Sequence, residues 1–299
     1  MAGLYIFIIL LFRVVQALFD KRSSLEIKNL TMLVGYNSFK NLISAVLGLI
    51  LIFVGGVGFR LEPLTVLIAT FSGISLFFSG YCGIYAMKSG TVSLSSMFGT
   101  AGMMIPIAAG ALLFNKPVAP LQLAGLGLFF ISAYLLIGAS KSVYSNFSCK
   151  TLLMLLGSMV GNGCTMLAQQ MFTTYVPNGN VCTFSFLSFG IIAVLSGVFY
   201  TVLSSVKKEE KEEKGTTKLS KTLMICGIAL AVSVFVINQL ATISISLVSP
   251  VILFTFINGG GTIISTLVAA IVYREKISTK TAFGIIIGIV SLVIIKMFE

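Results

Sequence analysis

The sequence predicts an all-α integral membrane protein of ten transmembrane helices, arranged as two inverted five-helix repeats. Three observations carry that expectation. The chain of 299 residues is 57% hydrophobic and only 10% charged, with a mean hydropathy of +1.05, far from the roughly 25% charged residues of soluble domains. It divides into about ten apolar runs of spanning length. Its second half repeats the polar breaks of its first in register.

A membrane-spanning helix needs about 20 mostly apolar residues. The runs that meet this are Gly3–Phe19, Leu30–Val54, Pro63–Met87, Thr91–Phe114, Val118–Ser140, Thr151–Tyr175, Val181–Val206, Leu223–Leu247, Pro250–Tyr273 and Ile277–Phe298. The first has neither a basic leading segment nor a clear cleavage site, so it is expected to be a retained helix rather than a signal peptide. The links "KSG", "NKP", "VPNG", "SP" and "REK" are short enough to force antiparallel neighbours and a compact bundle. One long polar insert, Lys207 to Lys221, reads as a solvated linker between helices seven and eight.

Shifted by 159 residues, positions 91–125 lie without a gap over 250–284, so that Gly102 meets Gly261, Gly125 meets Gly284 and "NKP" meets "REK". "QALF" at Gln16–Phe19 is echoed by "QQMF" at Gln169–Phe172 in the sixth helix. Five helices per half is an odd number, so the second half enters the bilayer upside down. The repeats are 1–145 and 146–299, and an inverted repeat places its substrate site near the midplane between the halves.

Net charge of +11 would suggest nucleic acid in a soluble chain. Here most basic residues sit in short connections, where they set topology and meet the lipid bilayer, so no nucleic-acid partner is expected. The chain has five cysteines, four of them inside apolar runs, and no histidine. These features predict no disulfide framework, no metal, no cofactor and no enzymatic activity. The connections after odd-numbered helices carry most Lys and Arg, which by the positive-inside rule puts both termini outside.

Ionisable groups within spans mark candidate functional sites. Arg13 lies roughly 14 Å along its helix, with Gln16 and Asp20 on the same face at i+3 and i+7. Asn37, Lys40, Asn41 and Ser44 form a matching stripe on the second helix. Lys40 is expected at similar depth to Arg13, with interfacial snorkelling and pairing of Arg13 with Asp20 as the alternative. Candidate substrate contacts are therefore Arg13, Gln16, Asn37, Lys40, Tyr81, Tyr85, Ser96, Asn162, Gln169, Asn238, Gln239 and Asn258. Asp20, Glu62 and Glu275 fall at span ends, so no carboxylate lies mid-span to alternate between a cationic drug and a proton. A neutral, zwitterionic or anionic metabolite fits better, its carboxylate or phosphate meeting Arg13 or Lys40.

The Gly-rich fourth helix, the "NKP" break, "LQLAGLGLFFISAYLLIG" and the matching "INGGGTIISTLVAAIVYREKISTKTAFGIIIGIVSLVII" resemble the drug/metabolite transporter superfamily, specifically bacterial EamA-like carriers. The resemblance spans essentially the whole chain and implies two five-helix repeats, a small-molecule substrate, alternating access, a bacterial plasma-membrane location and cytoplasmic termini, opposite to the charge count. It also implies a Glu ending helices four and nine. Glu275 fills the second position, and Lys116 stands at the first. A flippase, or flippase subunit, for a phosphate-linked lipid is the runner-up, followed by a proton-coupled multidrug exporter. Monomer and homodimer both stay open.

Overall fold

The computed structural model describes residues 2–27, 29–55, 59, 61–88, 98–115, 118–137, 149–209, 220–272 and 279–297. Among these the chain is all-helical. Its helices are α1 (Ala2–Glu26), α2 (Leu30–Val54), α3 (Pro63–Lys88), α4 (Phe98–Leu113), α5 (Pro120–Ile137), α6 (Cys149–Tyr175), α7 (Val181–Glu209), α8 (Lys221–Ser244), α9 (Pro250–Val272) and α10 (Thr279–Met297). Eight are long and apolar enough to cross a bilayer, whereas α4 and α5 are shorter apolar helices. The chain is a multi-pass membrane protein.

Several boundaries follow from local chemistry. Asn29 caps α2 by accepting from the Met32 amide at 2.8 Å, and Ser220 caps α8 by accepting from the Leu223 amide at 3.1 Å. The Ser220 hydroxyl also donates to Glu26, tying the start of α8 to the end of α1. Pro250 occupies the first turn of α9, where its missing N–H costs nothing. Asn115 follows α4 with φ of 51°, a left-handed conformation that Asn tolerates better than most residues.

Four helices differ from the apolar runs. α1 continues seven residues beyond Phe19 to Glu26, because hydropathy marks the lipid-facing length and not the end of backbone hydrogen bonding. Asp20, expected at a helix end, is thus six residues inside one. α7 likewise runs to Glu209, taking in the first residues of the charged insert. α9 is interrupted by a π-turn at Phe256–Gly260, and α4 has a turn at 102–103. In the 159-residue alignment the π-turn positions correspond to 97–101, directly before the α4 turn. Ser96, Lys116 and Glu275 lie outside the described residues.

The two halves interleave. The most extensive pairings are α2 with α7, α3 with α6, α5 with α10 and α1 with α8, followed by α3 with α7, α2 with α8, α1 with α9 and α4 with α6. Each joins a helix of residues 1–145 to one of 146–299, so neither half buries its own apolar faces alone. The largest buried cluster gathers Ile9, Met103, Phe129, Ile252, Leu253 and Phe254 from α1, α4, α5 and α9. A second, around stacked Phe172 and Phe184 with ring centroids 4.5 Å apart, joins α6, α7 and α3.

Glycine sets the closest crossing, between α4 and α6. A Cβ at Gly163 would stand 2.4 Å from the Gly102 carbonyl oxygen, and one at Gly102 would stand 2.6 Å from that of Met159. Only a residue without a side chain fits there, as expected where membrane helices associate by close backbone contact.

Candidate functional site

Helix lengths and antiparallel order place the ends of α1, α5, α7 and α9 and the starts of α2, α6, α8 and α10 on one face of the bundle. Among the described residues this face carries Lys21, Arg22, Lys150, Lys221 and Lys280, and it is called the basic face below. Between it and the opposite face lies a cavity of about 380 Å³, within the size range of small-molecule sites. A second chamber of about 240 Å³ adjoins it. Arg13, Gln16 and Asn258 line both, so these three residues form the partition between the spaces.

α1 delivers Arg13 and Gln16 because i and i+3 share a helical face. The Arg13 guanidinium donates to Gln16 Oε1 at 3.0 Å, while its Nε is buried with no hydrogen-bond partner among the described residues. Arg13 fits there because α9 offers Gly261, whose Cβ would come within 3.3 Å of Arg13 Cδ and Nε. Thirteen residues separate Arg13 from the end of α1, about 20 Å along the axis, and ten separate Lys40 from the start of α2, about 15 Å. Arg13 stands farther from the end of its helix than the sequence suggested because α1 outlasts its apolar run.

Asn37, Lys40 and the buried Asn41 line the central cavity from α2. Asp20 lines the second chamber, hydrogen-bonds with Gln16, and interacts electrostatically with both Lys40 and Arg13. Arg13 is directed at Gln16 and is not closed onto Asp20 as an interfacial pair. The polar wall therefore holds two cations against one carboxylate.

α6, α8 and α9 add amides. Gln169 Nε2 donates to Asn238 Oδ1 at 3.0 Å, linking α6 to α8, and Asn238 Nδ2 donates to the Val234 carbonyl at 2.8 Å. Asn162 Nδ2 donates to the Gly99 carbonyl at 2.6 Å, beside the α4 turn. Asn258 sits within the π-turn, where its Nδ2 donates to the Phe254 carbonyl at 2.9 Å. An inserted π-turn re-aims side chains, and such turns are frequent at functional sites. Tyr81 lines the cavity from α3.

Two candidates stand elsewhere. Gln239, next to Asn238, points about 100° away around α8. It is buried against α7, accepting from Ser185 Oγ at 3.2 Å and donating to Cys182 Sγ at 3.2 Å. It is a packing contact, not a cavity residue. Tyr85, one turn beyond Tyr81, lies near the basic face with Lys150 Nζ 4.8 Å from its ring centroid.

Sequence reasoning found Tyr81 and missed the phenylalanines that line the cavity with it. Phe77 and Tyr81 each pack edge to face on Phe199, with centroids 6.0 and 5.3 Å apart, and Phe189 and Phe254 line the same cavity. With 24 phenylalanines in the chain, no pattern marks these few. Ser79 and Ser196 were missed as well.

No known protein family and no curated relative matches this chain. A solved structure described as "Crystal structure of protein" is similar, with a TM-score of 0.78 at 14% identity over 99% of this chain and 96% of that one. At that identity the likeness speaks for the fold alone.

Proposed function

We propose that this chain is a secondary transporter of a small polar metabolite, neutral, zwitterionic or anionic, working by alternating access about the central cavity. The observation that carries the reading is that one central space, built by helices of both halves, receives Arg13, Lys40 and seven amides together with aromatic side chains. Two cations against one carboxylate leave the polar wall with an excess of one positive charge. That charge distribution suits a carboxylate or phosphate group, because fixed cations in a low-dielectric site stabilise an anion far more than they do in water.

An inverted pair of five-helix repeats is part of the same proposal, and helix packing supports it. Exchanging α1–α5 with α6–α10 turns the α1–α8 pairing into α6–α3, α2–α8 into α7–α3, and α1–α9 into α6–α4, while α2–α7 and α5–α10 map onto themselves. The crossings agree in detail to within one residue. Leu10 of α1 packs on Gly260 of α9, and Gly163, which aligns with Leu10, packs on Gly102 of α4. Membership among the EamA-like carriers and residence in a bacterial plasma membrane rest on the "NKP" and "REK" segments described above.

Thermal unfolding of the purified protein against amino acids, organic acids, nucleosides, phospholipid headgroups and cationic drugs tests this function. A ligand at 100 times its Kd stabilises by about 2.7 kcal/mol. A carboxylate- or phosphate-bearing solute is expected to raise the midpoint in wild type and not in Arg13→Ala. Stabilisation by cations alone, indifferent to Arg13 and Lys40, overturns the reading, and stabilisation confined to lipid headgroups transfers it to lipid flipping.

A further inference from the structure

Gln170 is fully buried in α6, yet neither its Nε2 nor its Oε1 has a hydrogen-bond partner among the described residues. Unpaired buried amides are rare because desolvation is not repaid. Gln170 lies five residues from the end of α6, about 8 Å from the opposite face. Its amide is directed at Gly110 of α4 and Pro250 of α9: a Cβ at Gly110 would lie 3.2 Å from Nε2 and 3.5 Å from Pro250 Cγ. Buried hydroxyls without partners recur toward this face, at Ser244 and Ser249 around the α8–α9 turn and at Thr183 near the start of α7.

The repeat gives this orphan a counterpart. The "QALF"/"QQMF" correspondence sets Gln170 against Ala17 and Gln169 against Gln16. Ala17 and Gln16 line the open chamber near the basic face. Carrying the rest of that chamber across the repeat, Arg13 becomes Met166, Asp20 becomes Thr173, Thr100 becomes Gly259, Asn258 becomes Gly99, Gly261 becomes Gly102 and Thr262 becomes Met103. Met103 and Met166 are both buried, Met166 along the wall of the central cavity, so apolar side chains stand where the open chamber has Thr262 and Arg13. An unpartnered amide is thus sealed at the position whose counterpart faces an open chamber.

We infer that Gln170 lines the exit path on the opposite face, and that its amide meets water and the departing polar substrate when the bundle opens there. This rests on the inverted-repeat transporter proposed above. The amide is unpaired because the present packing is only one of two arrangements of the same helices, and its hydrogen bonds belong to the other. Met103 and Met166, unbranched and adaptable, are the side chains that give way.

The test uses full-length protein in proteoliposomes with its five natural cysteines replaced by serine, and a membrane-impermeant methanethiosulfonate applied from each side. Ala17→Cys is expected to react from the basic face and Gln170→Cys from the opposite face only. Gln170→Leu is a second variant, which removes the unpaired amide without removing a bond. It should raise the unfolding midpoint and, by favouring the packed arrangement, speed Ala17→Cys labelling at least twofold. Reaction of Gln170→Cys from the basic face, or no reaction while Ala17→Cys labels, overturns the inference and leaves the central cavity standing. Failure of both cysteines to react removes the transporter reading with it. An unchanged Ala17→Cys rate in the Gln170→Leu background counts against the exit-path role.

Discussion

The α4–α6 crossing supports a quantitative test, through Gly163→Ala. The added methyl would sit 2.4 Å from the Gly102 carbonyl oxygen, and ordinary contact begins at 3.4 Å, so the helices must part by about 1 Å. The obstacle is backbone and no rotamer change relieves it; the side-chain neighbour, Ile105, is also within 2.6 Å. Overpacking of this kind costs about 1–3 kcal/mol. The same displacement stretches the 2.6 Å bond from Asn162 Nδ2 to the Gly99 carbonyl past useful length, adding about 1 kcal/mol. A total of roughly 2–4 kcal/mol corresponds to a fall in unfolding midpoint of roughly 5 °C or more, read from heat-induced unfolding in detergent at a fixed scan rate. Gly190→Ala is the control, because its Cβ meets nothing within 4 Å, and it should be neutral or slightly stabilising. The double variant Gly102→Ala, Gly163→Ala should cost less than the sum of its parts, since helices already parted accommodate the second methyl. A Gly163→Ala midpoint equal to that of wild type, or strict additivity in the double variant, refutes the close-crossing argument.

Two further outcomes follow from the cavity. Asn238→Leu leaves Gln169 Nε2 without its 3.0 Å acceptor and should lower stability by about 1–3 kcal/mol; adding Gln169→Leu should recover most of that loss, as chemical denaturation of the three variants would read out. Arg13→Lys should fail to restore anion-dependent thermal stabilisation lost in Arg13→Ala, because an ammonium cannot reproduce the guanidinium's hold on Gln16 together with its buried Nε–H; full recovery in the Lys variant would reduce Arg13 to a point charge.

Much of the architecture was legible because membrane helices obey a severe rule: every backbone polar group in lipid must be satisfied within the segment. Apolar length therefore located α2, α3, α6, α7, α8 and α10 to within a few residues. It misjudged the end of α1, where the helix outlasts the lipid-facing run and carries Asp20 into a chamber. Arg13, Gln16, Asn37, Lys40, Asn162, Gln169, Asn238 and Asn258 were legible as cavity residues, since costly side chains in lipid gather on inward stripes. Gln239 was not separable from Asn238 by residue type. Both are amides, and only the rotation of α8 against α7 decides which faces the cavity.

The sequence by itself determined the solvent this protein lives in, most of its spans and the helix faces that carry charge. These follow from composition and from the helical repeat, both of which are local. Only the tertiary structure decided that α2 packs on α7 and α3 on α6, that five aromatic side chains among many line one cavity, and that Arg13 partitions two chambers. It alone shows that Gln170 is sealed without a hydrogen-bond partner among the described residues. Those facts depend on which surfaces meet across more than a hundred residues of chain, and close packing is set jointly by both surfaces, so neither strand of sequence carries it alone.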